Sequence, residues 1–397
     1  MRTQRPIKMK PGPRSLFPEL EKDLRAITGA HSTGILPSQE IERLISSGRI
    51  FSDQGIDPAQ VQPASLDLRL GKVAYRVRAS FLPGERATVE SKIDKYRMHE
   101  LDLAHPAALE RGCVYIVPLM EELSLPAEIW GKANPKSTTG RLDIFTRLIT
   151  DFGTEFDGVS EGHKGKLYLE IVPRTFSVLV QAGFRLSQLR LLRGNPPASD
   201  SALDALDRSE QLVFLDGTGA VSAQIERGLW LSIDLHGSPD SEIVGYRAKR
   251  HTPLIDLSKT DFYEPLDFWD PVRRPQDGAL VLDPDEFYIL ASKERIRVPP
   301  SFSASMVAYD PSVGEFRIHY AGFFDPGFGY GDDGVTGAKA VLEVRSHEVP
   351  FLLEDRQVVG SLVYERLLDK PTKIYGKGIG SSYQSQGLML SKQFRRG

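Results

Sequence analysis

Between Asn134 and Arg141 the sequence reads N-P-K-S-T-T-G-R, so Lys136, Ser137, Thr138, Thr139, Gly140 and Arg141 gather two cations and three hydroxyls around one glycine. Phosphate recognition calls for that mixture: a planar guanidinium for bidentate contact, an ammonium point charge, hydroxyl donors, and a glycine that lets backbone N–H groups come close. A solvated loop can share the composition, so the residue types alone leave both readings open. The Walker pattern G-x-x-x-x-G-K-[ST] is absent. Glu170 follows within L-Y-L-E-I-V, flanked by Leu169 and Ile171, and the pattern recurs as A-V-L-E-V around Glu343. A carboxylate in such a strand either faces water or occupies a pocket where desolvation tunes it toward proton transfer. The segment from Lys373 to Lys392 intersperses Tyr375, Lys377, Tyr383, Gln384 and Gln386 among glycines and serines. It reads as a disordered tail or as a lid that orders over a ligand and excludes water.

Other chemistries lack their residues. No Cys-x-x-Cys, His-x-Glu, His-Glu-x-x-His or G-x-S-x-G occurs, the eight histidines are scattered, and Cys113 is the only cysteine. Zinc ligand sets, serine nucleophile elbows and internal disulfides are thereby excluded. The net charge of −3, from 50 basic and 53 acidic side chains mixed along the sequence, predicts no nucleic-acid partner. No apolar run approaches the ~18 residues of a bilayer span, and the opening residues lack the apolar stretch of a secretory signal. A cytoplasmic protein with no membrane partner is expected.

The elements that must position these groups are set by an internal repeat. Tyr115 and Tyr288 lie 173 positions apart, as do Ile116 and Ile289, Pro126 and Pro299, and Glu170 and Glu343. The match of Ser65-Leu66-Asp67-Leu68 to Ser232-Ile233-Asp234-Leu235 is offset by 167, so loop lengths differ between the copies. The expected organisation is an extension at 1–34, repeat one at 35–195, a polar connector at 196–222, and repeat two at 223–397 ending in the lid. The 35 glycines and 27 prolines, with short β-branched and aromatic runs such as VYIVPL, YLEIV, FSVLVQ, FYILAS, KAVLEV and GSLVY, predict a mainly β chain. The clearest helix begins at Pro37, with Ser38 as its cap and Ile41, Leu44 and Ile45 on one face. Each repeat reads as a β-barrel or jelly roll with a short edge helix.

In order, V-Q-P-A-S-L-D-L-R-L-G from Val61, the K-S-T-T-G-R loop, the Asp157-Gly158 turn, Y-L-E-I-V and the Y-Q-S-Q-G tail at Tyr383 resemble the dCTP deaminase family, across almost all of both repeats. The resemblance implies a dUTPase-like fold in tandem, hydrolytic deamination of dCTP to dUTP without a catalytic metal, and Mg²⁺ carried on the triphosphate. It also implies a homo-oligomer with threefold or pseudo-threefold symmetry. By position, Glu170 matches the general base and Arg141 the distal arginine that helps polarise the water. Lys136, Ser137 and Thr138 match the phosphate loop, Asp157 the turn beside the deoxyribose, and Tyr383 and Gln386 the lid.

Repeat two departs at Asp310-Pro311-Ser312-Val313-Gly314-Glu315, where a glutamate replaces the arginine, yet it keeps Asp325-Pro326-Gly327-Phe328 and Glu343. A carboxylate facing a triphosphate repels it. The expectation is therefore one competent site per chain, with loop and base from repeat one and structural faces plus lid from repeat two. The alternatives are a dUTPase-like pyrophosphatase, a bifunctional deaminase and pyrophosphatase, and a non-catalytic β-barrel assembly protein.

Overall fold

Alternation of apolar and polar residues along Val114–Ser124 and Lys164–Pro173 pairs these segments as antiparallel strands, with Glu170 opposite Ile116 on one side and opposite Arg147 of Ile144–Thr150 on the other. The same arrangement recurs 173 residues later. Phe287–Ile296 pairs with Ala338–Ser346, and Glu343 lies opposite Ile289. Tyr75 of Val73–Val77 and Tyr246 of Ile243–Ala248 flank Ile116 and Ile289 in turn. A second sheet in the first half orders Arg185–Arg193 between Ile129–Pro135 and Leu66–Arg69, and its counterpart orders Val358–Arg366 between Phe302–Ala308 and Leu229–Ser232. The computed structural model describes residues 32–196, 199–238, 241–308, 316–318, 322–330, 337–346, 349–376 and 387–396. The molecule is mainly β with few helices, and no helix among the described residues is long and apolar enough to cross a membrane.

The helix at Ser38–Ser46 forms where the periodicity put it, but its cap is Pro37; the Ser38 hydroxyl instead meets Gln39 and Thr372. Residues expected as a polar connector carry the helix Asp200–Glu210 and a hairpin of Val213–Leu215 with Gly219–Val221. Leu203, Leu212 and Val213 bury there in the core of the second half. Their apolar spacing is sparse, and tertiary burial rather than local pattern fixes them.

Each half has its own core, and the two are sewn together. Phe268, Trp269, Phe287 and Phe394 of the second half join the first core around Phe176. Lys132 meets Glu365 at 2.6 Å, and Arg190 meets Asp325 at 3.6 Å, across the same seam.

Candidate active site

A cavity of about 700 Å³ opens along this seam. Its floor is a cross-strand row in the first half, because Gln188 is in register with Asp67 on one neighbouring strand and with Asn134 on the other. The strand ends at Pro135, one residue past Asn134, and the chain turns into the four-residue helix Ser137–Gly140, so the K-S-T-T-G-R segment becomes one tight turn at the cavity wall. Thr139 anchors this turn by donating its hydroxyl to the Leu186 carbonyl at 2.8 Å.

One end of the cavity is cationic. Lys136 reaches Asp67 at 2.5 Å, and Arg185 and Lys392 line the same wall. Burial, then the neighbouring charge of Lys136, holds the Lys392 ammonium below its ordinary pKa. Three cations thus share this wall, with the Asp67 carboxylate facing two of them. Ser137 and Thr138 line this end too.

The other end holds an acid. Glu343 lies on a strand of the second half, 7 % exposed, against the turn of the first. A Cβ added to Gly140 would fall 2.5 Å from a Glu343 carboxylate oxygen, so the glycine is what lets the two meet. Burial pushes the Glu343 carboxyl well above its ordinary pKa; Arg141 opposes that rise and Asp143 adds to it. Arg141 is buried and donates to the Met389 carbonyl at 2.9 Å. Ser391 donates to the Thr138 carbonyl at 2.9 Å, so residues 387–396 strap the turn from behind.

The expected partnership of Glu170 with Arg141 is not what the described residues contain. Glu170 is buried in the first half's own sheet, where one oxygen accepts from Arg147 at 2.9 and 2.6 Å, and it does not line the cavity. The physical reason is register. The cross-strand neighbour of Glu170 is an arginine, so its charge is met within the sheet. Asp157 likewise lies outside the main cavity, beside a shallower hollow of about 460 Å³, and accepts from the Leu148 N–H at 2.8 Å. Burial pushes its carboxyl up to about 7. In the main cavity the corresponding acid is Asp325, raised by burial and faced by Arg190. Lys136, Ser137, Thr138 and Arg141 come together as expected. Tyr383, Gln386 and the 310–315 loop lie outside the described residues. Sequence reasoning passed over Arg185 and Lys392, which sit in unremarkable contexts. It also gave Glu343 a structural part, although Asp325-Pro326-Gly327-Phe328 in the same half signals a nucleotide face.

A β-rich chain with a cationic turn from one half and a buried carboxyl of raised pKa from the other defines a site of the kind that hydrolases use. Residues 32–195 match the family model for the 2'-deoxycytidine 5'-triphosphate deaminase N-terminal domain, and residues 199–394 that for its C-terminal domain. The chain belongs to the dCTP deaminase family. It is similar to the crystal structure of 2'-deoxycytidine 5'-triphosphate deaminase from Agrobacterium tumefaciens, with 52% identity, 85% of this chain and 100% of that one covered, and a TM-score of 0.81. It is also similar to proteins named dCTP deaminase, dUMP-forming, from Acidothermus cellulolyticus and Streptomyces coelicolor. Each is 28% identical over 165 residues, 41% of this chain and 82% of the relative.

Proposed function

We propose that the chain hydrolyses dCTP to dUTP and ammonia in the cavity between its halves, with Glu343 rather than Glu170 as the proton-transfer group. The observation that carries this reading is the burial of Glu343 against Gly140 and beside Arg141. Attack at C4 of cytosine needs an activated water and a proton on N3. Glu343 takes one proton from the water as the C–O bond forms and passes it to N3. It then takes the second and delivers it to the departing amine, so that the C4–N bond breaks, ammonia leaves and a carbonyl remains. A carboxyl whose pKa burial has raised is suited to both directions of transfer. Arg141 supplies fixed positive charge beside it, worth most in a water-poor site. Lys136, Ser137, Thr138, Arg185 and Lys392 hold the triphosphate, which brings its Mg²⁺ as part of the substrate.

The shared register of the two halves supports reading them as fused dUTPase-like units. Loop and acid then come from one chain across its internal seam, in place of a subunit interface. Ammonia and nucleotide analysis after incubation with dCTP and Mg²⁺ tests the reaction, and no ammonia refutes it. The dUMP-forming relatives favour a second reading in which pyrophosphate is also released. Release of dUMP and pyrophosphate in step with ammonia establishes it; dUTP alone excludes it.

A further inference from the structure

We infer that Arg345 is a positioning residue for this reaction: its ion pair with Asp143 docks the turn that carries Arg141 onto the strand that carries Glu343. The inference rests on the assignment of Glu343 above. Side chains two apart on a strand share a face, so Arg345 projects beside Glu343 from the same strand. Its guanidinium crosses the seam to donate to the Asp143 carboxylate and, at 3.0 Å, to the Thr175 hydroxyl, and it also donates to the Asp285 carbonyl. Both members of the pair are buried, at 4 % and 0 % exposure.

Asp143 stands two residues beyond Arg141 on the turn. The seam therefore carries a two-by-two lattice of charge, with plus and minus on the turn facing minus and plus on the strand. The direct pairs attract. The diagonal from Asp143 to Glu343 repels and lifts the Glu343 carboxyl's proton affinity further. Arg345 cancels the negative member of that diagonal while fixing the distance at which Arg141 meets Glu343.

Two details set this pair apart from ordinary packing. Asp143 occupies a left-handed conformation, φ 52°, where glycine would be easier, with its carboxylate accepting from Arg345 and from Thr175 at 2.5 Å. In the first half, the position equivalent to Arg345 is Val172, on the strand whose acid meets an arginine of its own sheet. Of these two equivalent positions, the arginine stands on the strand whose acid lies against the turn of the other half.

The test is steady-state kinetics on the full chain with dCTP and Mg²⁺. Arg345→Met is expected to lower kcat by about 100-fold while changing KM by less than about threefold, because orientation of the acid is lost and the phosphate end is untouched. Asp143→Asn alone is expected to cost less. The double variant Arg345→Met/Asp143→Asn should recover at least tenfold of the Arg345→Met loss, since no uncompensated carboxylate then remains beside Glu343. Unchanged kcat in Arg345→Met, or a double variant as impaired as the product of the singles, overturns the inference. If Arg345→Met does not fold, Arg345→Lys replaces it. An expected loss of about tenfold in kcat with unchanged KM supports the role, and wild-type kcat overturns it. Glu343→Gln, measured in parallel, separates the two levels. Retained turnover in that variant removes the acid assignment, whereas the coupling between positions 143 and 345 is read independently of it.

Discussion

Glu170 and Glu343 occupy the same register on equivalent strands, yet their surroundings are opposite. After the strand Val73–Val77, the chain folds back over its own sheet. The helix Val89–Tyr96 buries Val89 and Ile93 against Ile116, Ile149 and Tyr168, and Ser80 accepts from the same arginine that holds Glu170. After the matching strand Ile243–Ala248, the chain instead crosses to the first half, where Ile255 pairs in parallel with Val178 and the Leu257 N–H donates to the Leu179 carbonyl. The first crossing roofs Glu170; the second leaves Glu343 facing the cavity and adds Leu257 and Ser258 to its wall. The surroundings of a duplicated carboxylate are thus set by its cross-strand neighbour and by the segment that covers it.

The sharpest way to break this contrast is to neutralise each acid in turn. Glu343→Gln is expected to lower kcat by about 10³-fold with dCTP binding largely kept, whereas Glu170→Gln should keep turnover within a few-fold of wild type. Its cost is stability, on the order of 1–3 kcal/mol, from weakening the charge-assisted hydrogen bonds of a half-buried Arg147 to a buried acceptor. Ammonia-release kinetics and denaturant unfolding read the two effects, and equal loss of turnover from both substitutions would abolish the distinction. Gly140→Ala is expected next in size. Its methyl would sit against the Glu343 carboxylate and displace it, reducing kcat by about 30-fold without unfolding the turn, whose backbone there is helical. Lys392→Ala should raise KM for dCTP about tenfold with a smaller change in kcat, as loss of one charge-assisted phosphate contact does.

The smallest effect sharpens the comparison from the first half's side. Asp157 in the folded chain titrates near 7, above its ordinary 3.8. A folded-state pKa above the unfolded one means the protonated form is favoured in the native protein. That contribution is complete below pH 3.8 and is lost as the pH rises to about 7. Asp157→Asn keeps the acceptor for the Leu148 N–H and tolerates φ 64°. Thermal melts should therefore show wild type losing ground to the variant between pH 3.8 and about pH 7, and parallel curves would contradict the assignment.

Much of this was legible in the residues. The constant 173-residue spacing located both acids and their paired strands, because sheet register is written in alternation and each copy repeats it. That Lys136, Ser137, Thr138 and Arg141 share one site was legible from their cations and hydroxyls. Which acid meets their turn was not, since it depends on where 78–96 and 249–268 go, and those segments carry no strong period. Arg147 shows the limit well: only cross-strand pairing reveals that it claims Glu170. Lys392 and Arg345 lie in contexts that look like ordinary surface and strand, and only the meeting of the two halves gives them neighbours.

The strap formed by residues 387–396 ties the turn at 136–141 to chain more than 240 positions further on, through Arg141 to Met389 and Ser391 to Thr138. Loop closure over such a span is costly in entropy and late in folding. During synthesis, the first half emerges from the ribosome with its turn unfastened and no acid across from it. The turn is therefore fastened only once residues 387–391 have been made and packed against it.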